Sequence, residues 1–254
     1  MTRWARLTWQ VARPAGLAAD LGRRLGVALL PYEALDDAAG PHEALDDAFL
    51  LPLGTADLEV VPWRREAPGD EPQPAGRLLL EPFEDGAADV KVRPGVPPFT
   101  LAGVAWATVE LDRAEADLEG WLAPVAGGLA AEGPAVEVPG ATEPHLGART
   151  RVRAAPELPG EVLVLSEPVT EGRLAASLAR DGEGPCALYL APREGLESWI
   201  RAARARGVTL AGPAAGPFGR SVLLAGGAAA GPHVIIVESS APPLAEPWRV
   251  PSIP

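Results

Sequence analysis

The stretch Val104-Ala105-Trp106-Ala107-Thr108-Val109-Glu110-Leu111, running directly into Asp112-Arg113-Ala114-Glu115, decides how this 254-residue chain is read. It is apolar and rich in residues that suit a pleated surface, and alternate side chains of a strand point to opposite faces. Trp106, Thr108 and Glu110 then share one face, while Ala105, Ala107, Val109 and Leu111 share the other and are expected to pack beneath a helix. Asp112 and Glu115 have the spacing of a capping box, and Ala114, Leu118, Trp121 and Leu122 form an apolar stripe at helical period. Val136–Val138, Arg149–Arg153 and Val162–Leu165 read as three strands after the helix, which makes the unit βαβββ.

The same order appears on both sides of this unit. Downstream, Cys186-Ala187-Leu188-Tyr189-Leu190 opens, Leu196, Trp199, Ile200 and Ala203 make the helix stripe, and Val208–Leu210, Ser221–Leu224 and Val234–Val237 close. Upstream, Leu7–Ala12 opens, Pro14 starts a helix with Leu17, Leu21 and Leu25 on one face, and Val27–Leu30, Phe49–Leu53 and Leu58–Trp63 close. Gly26-Val27-Ala28-Leu29 is echoed by Gly207-Val208-Thr209-Leu210. The fold class expected is α+β, with repeated βαβββ modules forming cupped mixed sheets. Residues 1–98 hold one module and a linker, residues 99–240 a pair of modules (about 100–168 and 184–238), and residues 241–254 a tail with five prolines.

A lone unit of this kind cannot cover its own sheet, so modules are expected to pair. The unpaired first module must therefore form a homodimer or lie against Arg77–Val92, where Leu78-Leu79-Leu80 is the candidate strand. The net charge of −12 argues against nucleic acid and anionic membrane surfaces as partners. No apolar run approaches the about 20 residues of a membrane span, and a single cysteine, Cys186, excludes an internal disulfide. A cytoplasmic setting is expected. Glu33-Ala34-Leu35-Asp36-Asp37-Ala38 recurs as Glu43-Ala44-Leu45-Asp46-Asp47-Ala48, but this acidic repeat lacks the glycine and ligand spacing of a calcium loop.

Two groups of residues carry a family resemblance. Glu171–Gly184 combines a short helix with a Gly-Glu-Gly turn. The closing strands Leu163-Val164-Leu165-Ser166-Glu167-Pro168, Ile235-Ile236-Val237-Glu238 and Leu58-Glu59-Val60-Val61-Pro62 share an apolar strand followed by glutamate or proline. Together with the module order, they resemble the vicinal oxygen chelate superfamily, which includes glyoxalase I, extradiol dioxygenases, methylmalonyl-CoA epimerase and bleomycin-resistance proteins. The resemblance implies a divalent metal held by a histidine on each opening strand and a glutamate on each closing strand. This chain departs from that pattern: Trp9, Trp106 and Cys186 stand at the opening positions, and Glu59, Val164 and Ile235 at the closing ones. Neither a metal nor another cofactor is expected, because such sites need three or more protein ligands.

The expectation that follows is a metal-free protein that binds a small organic molecule in an apolar cup. Trp106 offers a stacking wall or fills the cup, with Thr108 and Glu110 beyond it on the same face. Val164, Cys186 and Ile235 line the floor, and Trp9 holds the corresponding place in the first module. Glu59 is the one catalytic candidate, either a rim carboxylate or a general base with a raised pKa. The alternatives are a metal-dependent lyase, isomerase or dioxygenase using Glu59, and a module kept for protein association.

Overall fold

A computed structural model describes residues 5–31, 48–53, 57–62, 77–82, 97–122, 142–155, 158, 160–225 and 232–239. The acidic repeat up to residue 47, the strand expected over Val136–Val138, the charged linker and the proline-rich tail lie outside these residues.

The first module contains β1 (Ala5–Val11), α1 (Pro14–Leu25), β2 (Leu30–Pro31), β3 (Phe49–Pro52) and β4 (Asp57–Pro62), and is followed by β5 (Arg77–Pro82). The second contains β6 (Phe99–Ala107), α2 (Leu111–Leu122), β7 (Thr142–Glu143), β8 (Ala148–Ala154) and β9 (Val162–Pro168). Helix α3 (Arg173–Asp181) leads to the third, made of β10 (Gly184–Pro192), α4 (Leu196–Ala205), β11 (Leu210–Gly216), β12 (Gly219–Leu224) and β13 (His233–Val237). Modules two and three share one eight-stranded mixed sheet in the order β11-β12-β13-β10-β6-β9-β8-β7. Within each, the opening strand runs parallel to the closing strand, and the two opening strands, β6 and β10, meet antiparallel at the centre.

The first module has the same internal order in a five-stranded sheet, β2-β3-β4-β1-β5. Strand β5 pairs antiparallel with β1, with Leu78 opposite Trp9, and so takes the place beside β1 that β10 takes beside β6. The Leu78–Leu80 strand thus extends the first sheet at its edge and does not lie across its face.

The repeated Gly-Val tetrapeptide proves to be a helix end where a strand was expected. After α1, Gly26 is left-handed (φ 79°) and the Val27 N–H donates to Gly22 O at 3.0 Å. After α4, Gly207 (φ 75°) is followed by a Val208 N–H that donates to Ala203 O at 3.0 Å. This six-to-one closure consumes the valine, so strands start only at Leu30 and Leu210. The expected capping box is also replaced. Helix α2 begins at Leu111, whose N–H donates to Glu167 Oε2 at 3.2 Å, while Glu183 Oε1 accepts from the Val109 N–H and the Thr108 hydroxyl, each at 2.8 Å. Asp112 and Glu115 instead reach strand β8: Asp112 pairs with Arg151, and Glu115 with Arg151 and Arg153.

One large core joins α1, the first sheet and the helix-bearing face of the second sheet, and contains Leu7, Trp9, Leu21, Val60, Leu188 and Trp199. The two sheets are tied where α1 ends. Trp199 Nε1 donates to Leu25 O at 3.1 Å, Arg206 Nη2 to Arg24 O at 3.3 Å, and Arg24 Nη2 to Ala225 O at 2.6 Å. The carbonyls a helix leaves unpaired are here capped by another module. A methyl on Gly26 would sit 2.6 Å from the Arg206 guanidinium carbon, whereas one on Gly207 would meet nothing within 4 Å. Gly207→Ala is expected to cost about 1 kcal/mol, the left-handed penalty alone. Gly26→Ala is expected to cost more, and urea denaturation of the two variants compares them directly. Equal losses would mean that the Arg206 contact contributes nothing to stability.

Candidate functional site

The other face of the eight-stranded sheet is the inner face of the cup. Register and packing put Ala105, Ala107, Val164, Ala187, Tyr189 and Ile235 there in a second cluster. The small residues on the central strands leave room for α3, which packs against β6, β9 and β10 with Leu174 and Ser177 buried. Phe218 reaches in from the β11–β12 turn and lies 4.8 Å from the Tyr189 ring. Gly103 is required beneath it, because a Cβ there would stand 2.8 Å from Phe218. With Leu146 also buried, the described residues fill much of the cup themselves.

Polar groups gather where the two ends of the sheet come together. Strand β7 is only two residues long, and it places Glu143 with no exposed surface. Glu143 Oε1 accepts the His145 N–H at 3.1 Å, and His145 Nε2 hydrogen-bonds the Ser221 hydroxyl at 3.1 Å. Glu143 Oε2, the Tyr189 hydroxyl and His233 Nε2 are buried without a well-formed hydrogen bond. Such atoms are uncommon and mark a place for a ligand, a water or a stored strain.

Burial governs the electrostatics here. It pushes the Glu143 carboxyl up to about 7, against the opposing effects of the His145 N–H and of the nearby Tyr189 hydroxyl. It pushes the Cys186 thiol up to about 12, which makes this cysteine a small apolar residue and not a thiolate. His233 is lowered to about 4 by burial and then by Arg173 and Arg180, and His145 is lowered by burial and Arg173. At neutral pH both imidazoles are uncharged.

The residues picked out from the sequence divide into separate places. Val164, Cys186 and Ile235 do belong to the cup cluster. Trp106 faces the opposite way: it lies beside Leu165 and packs on the helix-bearing core, because the alanines of β6, and not the indole, line the cup. Thr108 is buried at the start of α2, its hydroxyl accepting from the Glu110 N–H, and Glu110 is exposed beside Arg113. Trp9 is a core residue of the first sheet. Glu59 is buried in that sheet beside Thr8, on the face away from Leu58 and Val60, and so stands in a different sheet from Val164 and Ile235. Among the described residues, no three His, Cys, Asp or Glu side chains are placed to hold a metal ion, so the side chains at the family's ligand positions do not fit one.

Glu143, His145, Tyr189 and Ser221 were not anticipated as a group. Tyr189 was within reach, since alternation along Ala187-Leu188-Tyr189-Leu190 sets it with Ala187 against the two leucines. Glu143 carried no signal, because a two-residue strand has no period to read.

With this geometry in hand, the solved structures give a clear parallel. A triple-substituted 4-hydroxymandelate synthase from Streptomyces coelicolor superposes with a TM-score of 0.56 at 14% identity, covering 92% of this chain and 91% of that one. The chain has the vicinal oxygen chelate fold. Two shorter likenesses each cover 56% of this chain. Methylmalonyl-CoA epimerase from Mycobacterium tuberculosis matches at 23% identity over 87% of its own length with a TM-score of 0.41. A hypothetical protein from Bacillus halodurans matches at 19% over 94% of its length with a TM-score of 0.40. No family model and no curated protein matches the sequence. Among the described residues, no helix of this vicinal oxygen chelate fold is long and apolar enough to cross a membrane.

The raised Glu143 carboxyl has a signed consequence for stability. A carboxyl whose pKa is higher in the folded state stabilises that state fully below its ordinary value of 4.5, and this contribution is lost as pH rises through about 7. The loss is about 3 kcal/mol. Glu143→Gln should therefore gain on the wild type as pH is raised from 5 to 8, measured as the difference between their urea unfolding free energies. A difference that stays constant with pH would show that Glu143 ionises normally in the folded protein.

Proposed function

We propose that this chain is a metal-free binding protein for a small organic molecule held in the cup of the eight-stranded sheet, with residues 99–240 carrying the site and residues 1–98 supporting it from the helix side. The observation that carries this reading is the buried Glu143 carboxyl beside the Tyr189 hydroxyl, with His233 Nε2 buried separately on β13, on a face otherwise lined by Val164, Cys186, Ile235 and Phe218. An apolar cavity with a few polar anchors is the common form of a small-molecule site. Area burial supplies affinity, and the anchors supply orientation.

The ligand chemistry follows from charge. With 34 acidic against 22 basic residues, the protein disfavours anions. A carboxyl that titrates near neutrality can donate to or accept from a hydroxyl or amide, and when ionised it suits an amine. The expected ligand is a flat, neutral or cationic compound with one polar edge.

A thermal-shift screen of neutral and cationic aromatic compounds, followed by calorimetric titration, tests this. Tyr189→Phe should weaken the best binder about five- to tenfold, the value of one buried hydrogen bond. Trp106→Ala should lower the melting temperature but leave the dissociation constant unchanged. Binding lost on Trp106→Ala and kept on Tyr189→Phe would put the ligand on the other face of the sheet and end this reading.

A further inference from the structure

We propose that the seam between β7 and β11 is a proton-controlled gate to the cup, closed while Glu143 is protonated and opened by its ionisation. The proposal takes from the preceding reading only the purpose of the gate, namely entry to the cup.

The gate lies where the sheet is weakest. From β11 round to β7 each strand is hydrogen-bonded to the next, and β7 and β11, the two ends, then pack against each other. Among the described residues no backbone ladder joins these ends. Side chains of the β7 turn insert into spaces left by two glycines of β11. Glu143 Oε2 lies 2.9 Å from where a Cβ of Gly216 would be, and His145 Cε1 lies 2.7 Å from that of Gly212. Among the described residues, His145 Nε2 hydrogen-bonds Ser221 Oγ across the seam, and that hydroxyl also donates to Ala214 O at 3.3 Å. Elsewhere in the sheet the longer strands are held by backbone ladders. Separating the seam breaks a bond between neutral groups.

Entry requires some such movement, because Tyr189, Phe218 and Leu146 are fully buried in the cup. The charges around Glu143 decide what drives it. Its own turn presents the His145 N–H and a neutral imidazole; β10 presents the Tyr189 phenol and the Cys186 thiol; β12 presents the Ser221 hydroxyl. Arg173 of α3 is directed to His145 O at 3.1 Å. Among the described residues no arginine forms an ion pair with Glu143. Once ionised, the carboxylate has the His145 N–H and the nearby Tyr189 hydroxyl as donors but lacks a counter-ion, and water reaching it through the seam is the least costly remedy. Burial places its titration at about 7, where small changes of pH alter its charge.

The sign is fixed by linkage. The closed form holds the proton more tightly, so raising pH favours the open form. The opening constant should grow about tenfold per pH unit between 5 and 7 and level off above that. Hydrogen exchange measured by mass spectrometry over this range, corrected for the intrinsic rate, reads the opening directly. Peptides spanning residues 142–150 and 210–222 should show the rise, while those from β6 and β10 stay protected. Glu143→Gln should abolish the rise and hold the seam closed. Gly216→Ala, which props the seam apart, should raise exchange at every pH. Nile red added to the wild type should enter faster at pH 8 than at pH 5, and slowly at both in Glu143→Gln. The same pH response in Glu143→Gln as in the wild type, or parallel exchange in β6 and β10, would overturn the gate. Seam opening without Nile red entry would leave the gate standing and count against the cup as a binding site.

Discussion

The antiparallel pairing of β6 with β10 is the constraint from which the rest of the structure follows. Each βαβββ module ends at its opening strand, whose outer edge carries unpaired backbone groups, and a twin opening strand satisfies them. Pairing Val104 with Leu188 and Trp106 with Pro185 joins the two modules into one sheet, with register shifts on either side that curve it. In the first module the same need is met by β5 alone, which occupies the position of a second opening strand without a second module behind it. That half-completed pair then leans on the third module through α1, with Trp199 and Arg206 capping the last carbonyls of the helix.

Curvature divides the side chains of the eight-stranded sheet between two unlike environments. The convex face meets α2 and α4 and carries the large residues, among them Trp106, Leu165, Leu188 and Ile236. Along β8 the same face carries Arg149, Arg151 and Arg153, which bind Glu167, Asp112 and Glu115 and so hold α2 and β9 in place. The exposed members of this ladder contribute little energy singly, and the less exposed Arg153–Glu115 pair contributes more. The concave face carries alanines on its central strands and polar groups at its ends. It cannot be a dry alanine surface alone, so α3, Phe218 and Tyr189 fill it, and the cost is a carboxyl whose titration is pushed up to about 7 and two imidazoles lowered by burial.

The Gly-Glu-Gly turn that carried the family resemblance has a physical task in this arrangement. Glu183 accepts from Val109 and Thr108 and pairs with Arg113 at 2.5 Å, and these contacts hold its carboxyl below the usual range. A residue at the entrance to the third module thus caps the helix of the second. The family's metal positions have no such continuity here: Val164 and Ile235 are packed hydrophobes, and Glu59 lies in the other sheet.

Module order, helix stripes and apolar closing strands are legible in the residues alone, because period and turn chemistry are local properties. The repeated plan put Trp106 on one surface with Val164, Cys186 and Ile235, and only the last three share a cluster. Only the tertiary structure decided which face of β6 became the inside. Trp106 and Ala105 are both acceptable on either face of a strand, and the choice rests on α3 needing small residues beneath it. Tertiary structure likewise turned the repeated Gly-Val phrase into a helix cap and took Asp112 and Glu115 from their own helix end to the arginines of β8. The Glu143 cluster was decided entirely in three dimensions. Its members come from β7 and the turn after it, β10 and β12, up to 78 positions apart between Glu143 and Ser221, and only the closing of the sheet brings its two ends together and takes the carboxyl out of water.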